Sequence, residues 1–124
     1  MANKKILLVE DDPFLLNMYA SKLELNGFTV LAADDGLKAY ELARKEAPQL
    51  ILLDVLLPKM NGFEVLHKLK LEPATAVVPV IILTNLGQAG EIEQGQKLGA
   101  VDYLVKAHFT PAEVMAKIQK YLAE

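Results

Sequence analysis

Three runs of unbroken aliphatic residues constrain this chain more than any other feature: residues 6–9 (Ile-Leu-Leu-Val), 50–53 (Leu-Ile-Leu-Leu) and 80–83 (Val-Ile-Ile-Leu). Each has the length of a strand, and none alternates apolar with polar side chains as a strand with one wet face would. They read as strands covered on both faces, the condition of a parallel sheet lying between helices. Pro79 can precede the third run, because the start of a strand tolerates a missing N–H. Two weaker runs, residues 29–33 and 103–105, fit nearer the sheet edges.

Helix-period segments separate the runs and carry their own start and stop signals. Asp12 before Pro13 supplies an N-cap and a favoured first helical residue; Leu16, Tyr19, Ala20 and Leu23 then share a face, and Gly27 suits a left-handed exit. Asp35 can cap the second helix, with Ala39, Tyr40 and Ala43 inward and Pro48 ending it. Asn61 with Glu64, and Thr110 with Pro111 and Glu113, have the spacing of capping boxes for the third and last helices. The fourth helix, expected over residues 90–98, is poor in apolar residues and contains Gly95, which costs about 0.5–1 kcal/mol relative to alanine. A marginal, mobile helix is expected there. Five βα units in 124 residues, 52% of them hydrophobic, make one α/β domain over residues 1–124 with right-handed crossovers.

In such sheets the functional crevice lies beyond the carboxyl ends of the strands. There the sequence places Glu10, Asp11 and Asp12 after the first strand, Asp54 after the third, Thr84 after the fourth and Lys106 after the fifth. Gathered carboxylates repel: two unit charges about 4 Å apart cost about 4 kcal/mol at an effective dielectric near 20. A hard cation relieves this, and an all-oxygen set without His or Cys points to Mg²⁺, with Glu10 and Asp11 as the pair suited to hold it. Asp54, alone at the end of an apolar run, is the natural nucleophile towards phosphorus. Lys106 would neutralise phosphoryl oxygens and the Thr84 hydroxyl would donate to them. Singly, each residue has a bland reading as a cap, a turn or a solvated strand end. Such features at the ends of four different strands are hard to obtain by chance.

Composition removes several other functions. Thirteen Lys+Arg against 16 Asp+Glu leave a net charge of −3, so nothing draws the chain to nucleic acid or anionic lipid, and no direct nucleic-acid binding is expected. The absence of cysteine fits a reducing compartment. No segment approaches the length of a membrane span, and the expected location is cytoplasmic.

On five stretches the chain resembles a response-regulator receiver domain of bacterial two-component signalling, of the single-domain chemotaxis-regulator type. These are residues 6–12 (Ile-Leu-Leu-Val-Glu-Asp-Asp), 50–54 (Leu-Ile-Leu-Leu-Asp), 57–62 (Leu-Pro-Lys-Met-Asn-Gly), 78–84 (Val-Pro-Val-Ile-Ile-Leu-Thr) and 99–106 (Gly-Ala-Val-Asp-Tyr-Leu-Val-Lys). The resemblance implies a three-layer, flavodoxin-like (βα)5 fold with strand order 2-1-3-4-5. It implies Mg²⁺ held by Glu10, Asp11, Asp54 and the Leu56 backbone carbonyl. Asp54 would take its phosphoryl group from a histidine kinase, a phosphotransfer protein or a small phosphodonor. Thr84 and Tyr103 would be the switch pair: the threonine moves to the phosphoryl group, the ring turns inward, and the surface of the fourth helix, fifth strand and last helix is reshaped. An output protein would read that surface, and a monomer or a weak dimer through it is expected. Such a chain catalyses its own phosphorylation and dephosphorylation in cis and is not a turnover enzyme. Either a stand-alone regulator or a receiver from a longer protein agrees with this length.

Departures from the family pattern carry expectations of their own. Ala107 stands where the family has a proline after a cis bond, so either the peptide is trans and the loop is redrawn, or a strained bond costing about 3–4 kcal/mol is kept. His108 then intervenes before Phe109, Asn61 replaces a common aspartate, and Asn85 stands where a small residue is usual. Leu56 and Leu86 occupy positions that influence dephosphorylation in the family, and neither can orient water, so a long-lived aspartyl phosphate is expected. Three rivals remain. A receiver-like module that binds proteins without being phosphorylated agrees with Ala107. A flavin binder would need a Gly/Ser/Thr-rich phosphate loop where this chain has three acids. A phosphohydrolase with an aspartyl nucleophile usually has a second acid at the position of Leu56.

Overall fold

The computed structural model describes residues 4–122. Strands β1 (Lys5–Val9), β2 (Thr29–Ala33), β3 (Leu50–Leu53), β4 (Val80–Thr84) and β5 (Asp102–Val105) form one parallel sheet in the order β2-β1-β3-β4-β5. The three aliphatic runs are its three central strands, and the two weaker runs are its edges, as burial demands: β3 and β4 are buried at every residue, whereas β2 is half exposed.

Alternate residues of the central strands serve two separate cores. Leu7, Val9, Ile51, Leu53, Val80 and Ile82 face α2 (Gly36–Glu46) and α3 (Gly62–Leu71), where they meet Ala39, Ala43, Val65, Leu66 and Leu69. Ile6, Leu8, Leu50, Leu52, Ile81 and Leu83 face α1 (Pro13–Leu25) and α6 (Pro111–Leu122), where they meet Tyr19, Leu23, Val114 and Ile118. Each fully buried Leu, Ile or Val contributes about 1.5–3 kcal/mol, so the sheet's position between two helical layers is set by its own composition.

The helix signals act as the sequence indicates. Asp12 Oδ1 accepts from the N–H groups of Phe14 and Leu15, and Asp35 Oδ1 from that of Lys38. Asn61 and Glu64 bond reciprocally, as do Thr110 and Glu113. Gly27 leaves α1 at φ +89°, and Ala47 takes a left-handed φ of 49° to end α2 just before Pro48.

Two elements have no counterpart in the sequence reading. A single-turn helix, α4 (Pro73–Ala76), follows α3; Thr75 Oγ1 donates to Leu69 O, and Lys70 Nζ donates to the carbonyls of Ala76 and Val78. A 3-10 turn, Lys106–His108, follows β5. The helix expected over residues 90–98 is therefore the fifth, α5 (Ala89–Lys97), and Gly95 is its buried residue.

Gly62 opens α3 and donates its N–H to Val55 O at 2.9 Å. A Cβ there would lie 2.2 Å from Asp54 O and 2.7 Å from Val55 Cα, so the helix start is pressed against the backbone that follows β3. Gly62→Ala is expected to lower stability by about 1–3 kcal/mol, because backbone rather than a flexible side chain must move. Urea unfolding measures this, and an unchanged midpoint would refute the close contact.

Candidate phosphoacceptor and metal site

Sheet register assembles the site. Val9 pairs with Leu53, so Glu10 and Asp54 leave adjacent strands side by side; Val105 pairs with Thr84, so Lys106 leaves beside the end of β4. Glu10 N donates to Ala33 O at 3.0 Å and Asp54 N to Val9 O at 3.1 Å, which anchors both residues to the sheet beyond its last pairs.

Lys106 Nζ bridges the two acids, donating to Glu10 Oε1 at 2.5 Å and to Asp54 Oδ2 at 2.8 Å. The lysine side chain is 10% exposed, those of Glu10 and Asp54 4% and 6%. Burial pushes the Glu10 carboxyl above its ordinary range, against the opposing effect of Lys106 and of the Asp12 N–H. Burial also acts to lower the lysine, but its hydrogen bonds to Asp54 and Glu10 outweigh this and hold it above the ordinary value, so it stays an ammonium.

The other Asp54 oxygen is fixed by backbone: Oδ1 accepts from Val55 N at 2.7 Å and Leu56 N at 3.3 Å. Glu10 Oε2 accepts from Asp12 N at 3.2 Å. Exposed Asp11 completes a group in which one oxygen each from Glu10, Asp11 and Asp54 lie within 4.8 Å of one another. Three carboxylates against one ammonium leave two negative charges uncompensated, and the donors are all hard oxygens. That set fits a divalent cation such as Mg²⁺. Leu56 and Asn85 line the same crevice, and Leu56 with Asp11 also borders a neighbouring cleft of about 580 Å³ whose wall includes Phe63 and Leu86.

Thr84 is fully buried at the end of β4, and its Oγ1 accepts from Leu86 N at 3.5 Å. Tyr103 turns inward from β5, 9% exposed, and its hydroxyl donates to Leu86 O at 2.6 Å. Burial first, then the negative charges of Glu91 and Asp54, push the phenol up to about 12. The Lys106–Ala107 peptide is trans: no described peptide bond is cis. Of the two expectations for Ala107, the redrawn loop is the one found. The 3-10 turn leaves Ala107 and His108 exposed and returns Phe109 to the core, while Lys106 still reaches both acids.

Sequence reading names Glu10, Asp11, Asp54, Thr84, Lys106 and Tyr103; the structure brings the first five to the carboxyl ends of β1, β3, β4 and β5, and joins Tyr103 to that edge through Leu86. It did not reveal the Val55 and Leu56 amides on Asp54 or the Leu86 carbonyl on Tyr103. Backbone donors and acceptors leave no trace in side-chain identity.

Two outcomes follow from this electrostatic arrangement. Lys106→Met leaves buried carboxylates unpaired and is expected to cost about 3–5 kcal/mol in magnesium-free urea unfolding, part of which Glu10→Gln restores in the double variant. An uncoupled pair of effects would contradict the bridge. Tyr103 has a folded pKa above its unfolded value, so its contribution to stability is complete below pH 10 and is lost as pH rises towards 12. Tyr103→Phe should therefore lose less stability than the parent between these limits, as read by unfolding at each pH.

Comparison with known proteins agrees with this geometry. The family model described as the response regulator receiver domain matches residues 6–119. The chain is 41% identical over 118 residues to the DNA-binding dual master transcriptional regulator RpaA of Synechocystis sp., covering 95% of this chain and 48% of that protein. It spans about half the length of the curated relatives it matches. Among solved structures, the Vibrio cholerae chemotaxis protein CheY4 superposes with a TM-score of 0.89 at 29% identity, over 97% of this chain and 99% of that one. The receiver domain of the sensor histidine kinase PA1611 from Pseudomonas aeruginosa PAO1, solved with a magnesium ion coordinated in its active site cleft, gives 0.90 at 30% identity, over 99% and 100%. A parallel 2-1-3-4-5 sheet carrying three acids and a lysine at its carboxyl edge, matched over nearly its whole length, makes this chain a member of the response regulator receiver domain family.

Proposed function

We propose that the chain is a Mg²⁺-dependent phosphoacceptor switch in which Asp54 is the acceptor. The observation that carries this reading is the placement of Asp54 between Lys106 on Oδ2 and the Val55 and Leu56 amides on Oδ1, with Glu10 and Asp11 oxygens within 4.8 Å. Glu10, Asp11, Asp54 and the Leu56 carbonyl would hold the ion, as the magnesium-bearing PA1611 receiver encourages. Bound Mg²⁺ would offset the repulsion between an anionic attacker and an anionic donor.

An Asp54 oxygen forms the new O–P bond while the P–N bond of a phosphohistidine, or the P–O bond of acetyl phosphate, breaks and the leaving group takes the electron pair. The two backbone amides orient the carboxylate, and the Lys106 ammonium is in place to follow charge onto the phosphoryl oxygens. Thr84 would turn its hydroxyl to the same oxygens, with Tyr103 reporting the change to the α5–β5–α6 surface. The chain acts on itself and has no separate turnover substrate. The partners are a histidine kinase or phosphotransfer protein and an output protein in the cytoplasm. RpaA's DNA binding belongs to a protein twice as long; with a net charge of −3, this chain offers nucleic acid no electrostatic attraction.

With acetyl phosphate and Mg²⁺, mass spectrometry should show one added phosphoryl group, absent in Asp54→Asn. No gain under any condition would favour the rival of a protein-binding module that is never phosphorylated. Stabilisation by Mg²⁺ should disappear in Asp11→Ala and persist in Asp12→Ala, whose side chain is occupied in capping α1. Apolar Leu56 and Leu86 beside the site offer no group to orient water, so the phosphoryl group should outlast that of Leu86→Glu. Equal decay of the two in magnesium-containing buffer would rule this out.

A further inference from the structure

Gly95 is the one described residue of α5 that is buried, at a position where glycine is a poor helix former. Packing accounts for it. An added Cβ would lie 2.8 Å from Tyr103 Cδ2, 3.0 Å from Tyr103 Cε2 and 2.8 Å from Ile82 Cδ1. Ile82 can yield by turning a terminal methyl group. The ring edge cannot, because it is held at both ends: by the β5 backbone at one, and at the other by the hydroxyl's 2.6 Å bond to Leu86 O. Leu86 in turn donates its N–H towards Thr84 Oγ1 and lines the cleft shared with Asp11 and Leu56. Gly95, Tyr103, Leu86 and Thr84 are thus consecutive contacts from the buried face of α5 to the end of β4, whose partner Val105 precedes Lys106.

We propose that Gly95 is a positioning residue for the switch: its missing side chain is the seat that lets the Tyr103 ring lie inward, and a side chain at 95 drives the ring outward and weakens phosphoryl-group binding at the acidic site. The second half rests on Asp54 being the phosphoacceptor and on Thr84 and Tyr103 responding to its phosphoryl group; the first does not. Coupling between sites is reciprocal, so a substitution that disfavours the inward ring must lower the affinity of any ligand that favours it.

A double-mutant cycle tests the seat without any ligand. In an ordinary helix Gly→Ala raises stability. Here Gly95→Ala should lower the urea midpoint in the parent and raise it in the Tyr103→Ala background, where the ring is gone. A higher midpoint in both backgrounds would overturn the seat. If Gly95→Ala alone fails to fold while Gly95→Ala/Tyr103→Ala folds, the rescue supports it. Phenolate absorbance gives a second readout: Tyr103, identified by difference from Tyr103→Phe, should titrate near 12 in the parent and closer to the ordinary tyrosine value near 10 in Gly95→Ala. An unmoved titration counts against an outward ring.

The functional half is read from binding of beryllofluoride with Mg²⁺. Gly95→Ala should weaken it about fivefold or more, and should have no effect when Tyr103 is already alanine. Equal weakening in both backgrounds would show that residue 95 acts other than through the ring. A parent that binds no beryllofluoride would refute the phosphoacceptor reading and this half with it, while the cycle and the titration still decide the seat.

Discussion

One buried ammonium holds this site together. Lys106 reaches across from the edge strand β5 to acids that leave β1 and β3, so a single side chain ties three of the five strands at their carboxyl ends. Burying such charges is expensive, and Coulomb attraction repays the expense only when the remaining lone pairs are also satisfied. Here they are: the Val55, Leu56 and Asp12 amides take the carboxylate oxygens that Lys106 does not. Among the described residues no buried side-chain polar atom lacks a hydrogen-bond partner. The arrangement is complete in geometry and still two charges short of neutrality, a balance that suits a divalent cation.

Much of this was legible in the order of residues along the chain. The aliphatic runs gave the central strands because a strand buried on both faces has no freedom to alternate, and the acids after residues 9 and 53 could be placed together because parallel register leaves them no alternative. Capping boxes at Asn61 and Thr110 were equally readable, since they depend on side chains at fixed spacing.

What the order of residues does not carry depends on backbone and on tertiary packing. The α4 turn is stabilised by Thr75 and Lys70 reaching carbonyls, which no periodicity records. The path after Lys106 has two forms as far as sequence goes, because Ala107 by itself permits both. Gly95 looked like a defect in a weak helix, since propensity counts its cost locally, whereas its benefit lies on a different strand at Tyr103. The partner of Tyr103, a carbonyl of Leu86, could be any residue as far as sequence is concerned.

The division of the sheet into a buried centre and two thinner edges has a consequence for how long each amide stays closed. β1 and β3, which carry the acids, are covered by both cores, so their amides should exchange with solvent only when most of the domain opens. α5, with a single buried residue, can open in small excursions that leave the centre intact. The acidic site and the α5 surface are therefore fastened to parts of the molecule expected to open with different ease, and β4, running between β3 and β5 and ending at Thr84, joins the two.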